Sequence, residues 1–426
     1  MRKSFTLNHY FQDHMIFQAD KPIKIFGKCK KHIDITVNFL DQEKTIRTTD
    51  TYFEIELAPE SYLNKAFSFS ISCRKQKTII YHCMIGDIYL FLGGKNLAKT
   101  LYDSHIVKDY DNEDLRLYDF VNGQSWRVSS RDELSHVSVL AYLFAKHLRL
   151  LRKVPIGIIL YADENETIFS WLNQEMVLSN IDMKNYLNGV YQQKWIHLSE
   201  NYKKAHHLFS RIGIASLVVH QGENDFNHFH FYEKALRSLI TTYRLIFQSV
   251  TLPVYLLQLP SFRGKCAEKV EASEIRIAQS VVADNKKHIY VVSDIDMDED
   301  HVISLKKKVL AKRLVNCVLE KQYKKGKNSL CPQLFSYTVR DNLLSIYTHQ
   351  NYLSMISRSG KKLGFYAVDQ KLRLMKLNDI AINNNQIVIK IKPSFVEIRY
   401  AYDNNPVCDI FASNGLPLLP FKVVLK

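Results

Sequence analysis

The sequence predicts an α/β protein in which a central parallel sheet is flanked by an N-terminal and a C-terminal β unit. Three observations carry that expectation. Apolar residues alternate with polar ones near both ends of the chain, they gather into short continuous runs in the middle, and helical periodicity fills the gaps between those runs. A chain of 426 residues also exceeds one usual core, so more than one unit is expected.

In residues 1–82, Ile33, Ile35, Val37 and Phe39 fall at every second position, as do Phe53, Ile55 and Leu57, and then Phe67, Phe69 and Ile71. Period-two runs broken by polar turns read as antiparallel strands with one buried face. From 83 to 322 the rhythm changes to continuous apolar runs at 88–92, 156–160, 217–219, 254–259 and 289–292. Such runs mark parallel strands covered on both faces. Between them, 138–151 places Val139, Tyr142, Leu143, Ala145 and Leu148 near helical spacing, and 230–247 does the same with Tyr232, Leu236, Leu239, Tyr243 and Ile246. Strands alternating with helices give right-handed crossovers and an α/β sandwich. From 323 to 426 alternation returns at Ile387, Ile389 and Ile391, predicting the second β unit.

Ligands of such sheets bind outside the carboxyl ends of the strands. Here those ends read Gly93-Gly94-Lys95, Tyr161-Ala162-Asp163-Glu164, His220-Gln221-Gly222-Glu223-Asn224 and Ser293-Asp294-Ile295-Asp296, and these four loops form the candidate site.

The composition excludes several classes. No run approaches the roughly 18 apolar residues of a membrane span, and the start lacks the apolar core of a signal peptide. Seven scattered cysteines without a Cys-x-x-Cys pair argue against a disulfide framework or a zinc site and fit a reduced, cytoplasmic setting. No metal and no cofactor is expected. The net charge of +15 draws anions, but the basic residues are dispersed and no nucleic-acid motif accompanies them, so neither nucleic acid nor membrane is an expected partner. The run Lys306-Lys307-Lys308 lies beside a helical stripe of Leu310, Leu314 and Val318, and reads as a solvated face. Oligomeric state stays open.

The segment Ile88-Tyr89-Leu90-Phe91-Leu92-Gly93-Gly94-Lys95-Asn96-Leu97 resembles the first block of the SGNH hydrolases, specifically the sialate O-acetylesterase family, where a strand leads into Gly-Gln-Ser-Asn-Met and the Ser is the nucleophile. The resemblance runs along the chain in order: Phe11 to Gln18, Lys21-Pro22 and Phe26-Gly27; Val154-Pro155-Ile156-Gly157-Ile158; Val219 to Asn224; Leu252 to Pro260; Arg276-Ile277-Ala278-Gln279; and Ile398 to Tyr402 followed by Asn414 to Phe421. It implies a flavodoxin-like, three-layer SGNH domain and acyl transfer on O-acetylated sugars, with an acetylated or sialic acid-type glycan as partner.

The catalytic parts the resemblance implies can be placed one by one. Lys95 stands at the nucleophile position. His301 is the candidate base, and Asp298, three residues earlier, its candidate orienting carboxylate, with Asp300 and Asp294 as rivals. Gly94, Asn96, Gln221, Glu223 and Asn224 are the candidate ligand-binding residues, Asn224 standing one position before the family's oxyanion Asn and Asp225 in its place. The family's Trp-Gly-Gly-Thr loop reads Tyr161-Ala162-Asp163-Glu164-Asn165-Glu166-Thr167 here, without either glycine, and Trp171 follows. Lys95 itself fills space or pairs with an acid such as Glu223 or Asp298.

Three functions follow. The first is a degenerate member that keeps the cleft, binds or regulates through glycans and lacks turnover, because a Lys replaces the Ser. The second is a working esterase with a relocated nucleophile, Ser170, Thr167 or Ser125; the Gly123-Gln124-Ser125 match is read as accidental, because a polar segment and not a strand precedes it. The third is an anion-binding scaffold whose binding falls steeply with salt.

Overall fold

The computed structural model describes residues 3–74, 76–100, 112–129, 137–190, 198–261, 271–297, 303–348 and 353–425. Its spine is one strand of 18 residues, Gln76–Gly93. The first part of this strand pairs antiparallel with Leu63–Cys73 and parallel with Ile16–Gln18. Its second part pairs parallel with Ile156–Ala162 on one side and Ser216–His220 on the other. Val254–Leu257 and Ile289–Val292 extend the sheet in parallel register. The result is a mixed sheet of 11 strands, with further β sheets before and after it in the chain.

The five strands Ile156–Ala162, Gln76–Gly93, Ser216–His220, Val254–Leu257 and Ile289–Val292 lie side by side in that order. In chain order this is 2-1-3-4-5, the order of a doubly wound sheet whose switch point flanks the first strand. Gly93 is in register with both Ala162 and His220, so three strand ends meet at one level.

Apolar side chains leave this sheet on both faces. Tyr89 and Phe91 join a core with the helices Val139–Arg152 and Ile303–Lys321. Ile88, Leu90 and Leu92 join the other core, with Phe229–Ile246 and Glu271–Val282. Side chains of successive strand residues point to opposite faces, so a continuous apolar run is the composition this position requires. Ser138 caps the first of these helices by accepting from the Ala141 amide at 3.4 Å, and Lys153 ends it in the left-handed conformation.

Two strands were not expected. Asn112–Asp119 joins the sheet parallel to Ile156–Ala162, and Trp126–Ser129 returns antiparallel to it. A strand therefore does precede Gly123-Gln124-Ser125, correcting the polar reading of that segment. Its charged residues hide the pattern: Leu115 and Leu117 are buried, and Arg116 is buried with them.

At the N-terminal end, Phe5–Leu7, Ile23–Cys29 and Tyr52–Leu57 form a separate three-stranded sheet. The C-terminal residues form two four-stranded sheets and a strand pair around their own core of Leu344, Ile346, Ile387, Ile389, Ile398 and Tyr400. Arg276, fully buried, joins this region to the central sheet by donating to the Leu259, Pro260, Asp403 and Asn404 carbonyls at 2.6–2.8 Å. No described helix is long and apolar enough to cross a membrane.

Candidate active site

The site grows from the turn that ends the long strand. Gly93 is fixed by close approach: a Cβ there would lie 2.0 Å from the His220 carbonyl oxygen. The Gly94 amide donates to that same carbonyl at 3.1 Å, and the short helix Lys95–Ala98 starts from it. The Glu223 carboxylate accepts from the Asn96 amide at 2.6 Å. An acid at a helix N-terminus satisfies an amide that has no partner within the helix and opposes the positive end of its dipole. Gly94 and Asn96, taken from the first strand end, thus meet Glu223 from the third, as the order of strands predicts.

The third strand end is held from behind. Gly222 has φ +132, and a Cβ there would press on Ile275 at 2.9 Å, so glycine is required. The Gln221 carbonyl accepts from the Tyr232 hydroxyl at 2.9 Å and the Gln279 amide at 3.0 Å. The Gln221 side chain donates to the buried Asp225 carboxylate, which also accepts from the Ile168 amide at 3.1 Å. Burial lifts the Asp225 carboxyl to about 7, against the pull of the Gln221 and Ile168 donors.

The second strand end is tied to both neighbours. The Asp163 amide donates to the Gly93 carbonyl at 2.9 Å, and the Asn224 side chain donates to the Glu164 and Glu166 carbonyls at 2.7 and 3.1 Å. Both hydrogens of the Asn224 amide group are therefore committed to this loop. Trp171 is buried against Tyr161, with ring centroids 4.7 Å apart. Ser170 is buried, and its hydroxyl accepts from the Asn201 amide at 3.3 Å. Thr167 precedes the short helix Ile168–Trp171 without capping it, and Ser125 lies in the turn between Asn112–Asp119 and Trp126–Ser129.

Lys95 extends its side chain into solvent. No carboxylate among the described residues pairs with its ammonium at salt-bridge distance, although its charge still acts on Glu223. The Lys95 amide has no partner among the described residues. The Asp163 amide and the Asn224 side chain are thus engaged within these loops, while the Lys95 amide is open among the described residues. His301 and Asp298, with Asp300, lie outside the described residues.

Beneath the turn sits a cluster that the sequence reading missed. Lys307 is only 5% exposed, and its ammonium donates to the Asn96 carbonyl at 2.9 Å. Lys306 is buried too, so the run was not a solvated face. The signal was present in the phase: Lys307 is three residues before Leu310 and seven before Leu314, on the stripe itself. Burial lowers the Lys307 pKa, with Asp294 and Glu223 acting in opposition. Burial raises that of Asp294, against the charges of Lys307, Arg313 and Lys306. Asp294, fully enclosed, has its Oδ1 atom unpartnered among the described residues, as are both ring nitrogens of His220 and Oε2 of Glu223. Burial, then Lys307, pushes His220 well below its ordinary pKa, so the ring is neutral. Arg313 completes the layer by gripping Asp296 with two bonds of 2.6 and 2.8 Å.

Comparison with known proteins bears on the family and the fold. A profile of the family described as carbohydrate esterase, sialic acid-specific acetylesterase matches residues 86–320. Among solved structures, the chain is similar to a carbohydrate acetylesterase from Xanthomonas citri, with TM-score 0.86 and 19% identity over 99% of this chain and 100% of that one. At that identity the likeness shows the fold. A protein of Arabidopsis thaliana overlaps 56% of the chain at TM-score 0.40 and 14% identity, covering 99% of its own length. No curated relative matches the chain.

Proposed function

This chain belongs to the sialic acid-specific acetylesterase family of carbohydrate esterases, and from that membership we propose that it is a catalytically degenerate member which binds acetylated or sialic acid-type glycans without hydrolysing them. The single observation that carries the proposal is Lys95 at the switch-point turn. A protonated ammonium has no lone pair with which to attack an ester, and a neutral amine would form a stable amide instead of an ester that water can clear. The engaged amide of Asp163 and side chain of Asn224 support the same reading, since an oxyanion would find one open donor where the family's mechanism uses several.

In this reading Gly94, Asn96, Gln221, Glu223 and Asn224 shape the cleft, and His301 with Asp298 keeps the base and its orienting acid. The α/β part is a three-layer SGNH domain of flavodoxin-like type. In the same reading the chain divides into an N-terminal β domain over 1–82, an SGNH-like α/β domain over 83–322 and a C-terminal β domain over 323–426, with the strand Gln76–Gly93 running across the first boundary.

The test is hydrolysis of 4-nitrophenyl acetate and of O-acetylated sialic acid by the wild type beside Lys95→Ser. Silence from the wild type with turnover by Lys95→Ser supports a site that lacks only its nucleophile. Wild-type turnover abolished by His301→Ala overturns the proposal.

A further inference from the structure

A second polar groove opens on the N-terminal β region, next to the chain entering Ser216–His220 and therefore at the opposite end of that strand from the cleft. It encloses about 660 Å³ and is lined by Tyr52, Lys28, His9, His207, Arg211 and Glu54. Its floor is a close approach of backbones: a Cβ on Gly27 would lie 2.2 Å from the Thr6 carbonyl oxygen.

Tyr52 opens the strand Tyr52–Leu57, whose side chains alternate out and in, and the ring stands 55% exposed on the outward face. A single exposed Tyr is ordinary. This one is surrounded by uncommitted polar groups. The Lys28 ammonium lies 5.9 Å from the ring centroid, and the His207 ring lies 6.5 Å away, tilted by 57°. The ring nitrogens of His9 and His207 make no hydrogen bond to any described residue, and Lys28 has no carboxylate partner among them. Burial and then Arg211 favour the neutral form of His207, and burial that of His9, and a neutral imidazole presents one donor and one acceptor. Glu54 is already occupied, paired with Arg211 at 3.0 Å and Lys24 at 3.2 Å, which leaves Lys28 as the free charge of the groove. Arg211 is fixed from the other side by Phe26, whose ring centroid is 5.6 Å from the guanidinium.

An aromatic face, two groups that both donate and accept, and one unpaired cation together suit a particular ligand chemistry. A pyranose offers an apolar ring face to an aromatic ring, hydroxyls that both donate and accept, and, in an acidic sugar, one carboxylate. We propose that this groove binds one carboxylated sugar residue of a glycan chain, its ring face on Tyr52, its hydroxyls on His9 and His207 and its carboxylate on Lys28. The groove does not use the cleft residues, and the proposal takes from the family reading only the class of ligand.

The experiment is titration of the whole protein with an α2,8-linked sialic acid trimer, followed by saturation-transfer NMR and calorimetry, with maltotriose as the neutral comparison. A binding component should weaken at least about tenfold in Tyr52→Ala, weaken in Lys28→Ala with loss of its salt sensitivity, and persist in the cleft variant Lys95→Ala. Tyr52 and Lys28 are exposed, so both variants fold. No binding by the wild type, binding unchanged in the Tyr52→Ala/Lys28→Ala double variant, or equal binding of maltotriose would each overturn the proposal. The esterase assay stands apart from all three results, so the cleft reading and the groove reading can fail separately.

Discussion

The two ends of the central strand Ser216–His220 use their polar groups in opposite ways. At the carboxyl end, donors and charges are turned inward: Asn224 holds the 163–167 loop, Glu223 holds the Asn96 amide, and Lys307 holds the Asn96 carbonyl. At the amino end, Tyr52, Lys28 and two imidazoles stand open around a groove. The contrast teaches that a pocket rich in charged residues is not thereby rich in binding capacity. Capacity resides in exposed donors and acceptors that the protein has not already used, and in the groove Tyr52 and Lys28 are exposed.

The contrast can be tested by removing groups at each end. The largest effect is expected from Lys307→Ala, which removes the buried cation that acts on both Asp294 and Glu223; loss of one partner in a buried charge cluster costs about 3–5 kcal/mol, read as a fall in the urea midpoint. A loss below about 0.5 kcal/mol, the size of an ordinary surface substitution, would mean that Lys307 is solvated and the inward reading is wrong.

Asp225 gives a pH signature of similar size. Its folded pKa, near 7, lies above that of an unfolded aspartate, so the folded state holds the proton more tightly. The stability this contributes is fully present below about pH 4 and is lost as pH rises through about 7, at about 1.4 kcal/mol for each pH unit crossed between those two limits. Asp225→Asn should therefore gain on the wild type between pH 5 and pH 8 in denaturation curves; parallel curves would remove the effect.

Asn224→Ala comes next. It frees two loop carbonyls at a cost of about 1–2 kcal/mol, and should quicken proteolysis within 163–171 without altering the groove. At the small end, Lys28→Ala should leave stability within about 0.5 kcal/mol of the wild type while weakening the carboxylated trimer. If it destabilised the protein as much as Lys307→Ala, the difference between the two ends would disappear.

Much of the architecture was legible in the sequence. Each continuous apolar run became a parallel strand, because burial on both faces leaves no position for a polar side chain, and the helices 138–151 and 230–247 were found to within a residue or two as Val139–Arg152 and Phe229–Ile246. Gly93 and Gly94 marked the switch point, since a Cβ on Gly93 would strike the His220 carbonyl and one on Gly94 would crowd the Glu223 carboxylate. What stayed illegible was polar and buried. Asn112–Asp119 looked like a surface segment because Arg116 and the acids interrupt its alternation, and Lys307 looked solvated because a charge run usually is. Sequence pattern reports where apolar atoms gather; it does not report which charges the fold encloses and neutralises. The groove was equally hidden, because its residues come from the N-terminal three-stranded sheet and a distant helix, with no motif joining them.

The long strand Gln76–Gly93 also fixes the order in which the chain can assemble. Its lower half finds Leu63–Cys73 a short hairpin away, so that pairing can form as soon as both have left the ribosome. The turn at its upper end cannot close so early: Asn96 and Glu223 are 127 residues apart in the chain. Lys95 and its neighbours must therefore wait, on a strand already anchored below, until Ser216–His220 has been made. A chain released before that point could pair Leu63–Cys73 with the lower half of Gln76–Gly93 but could not close the switch point.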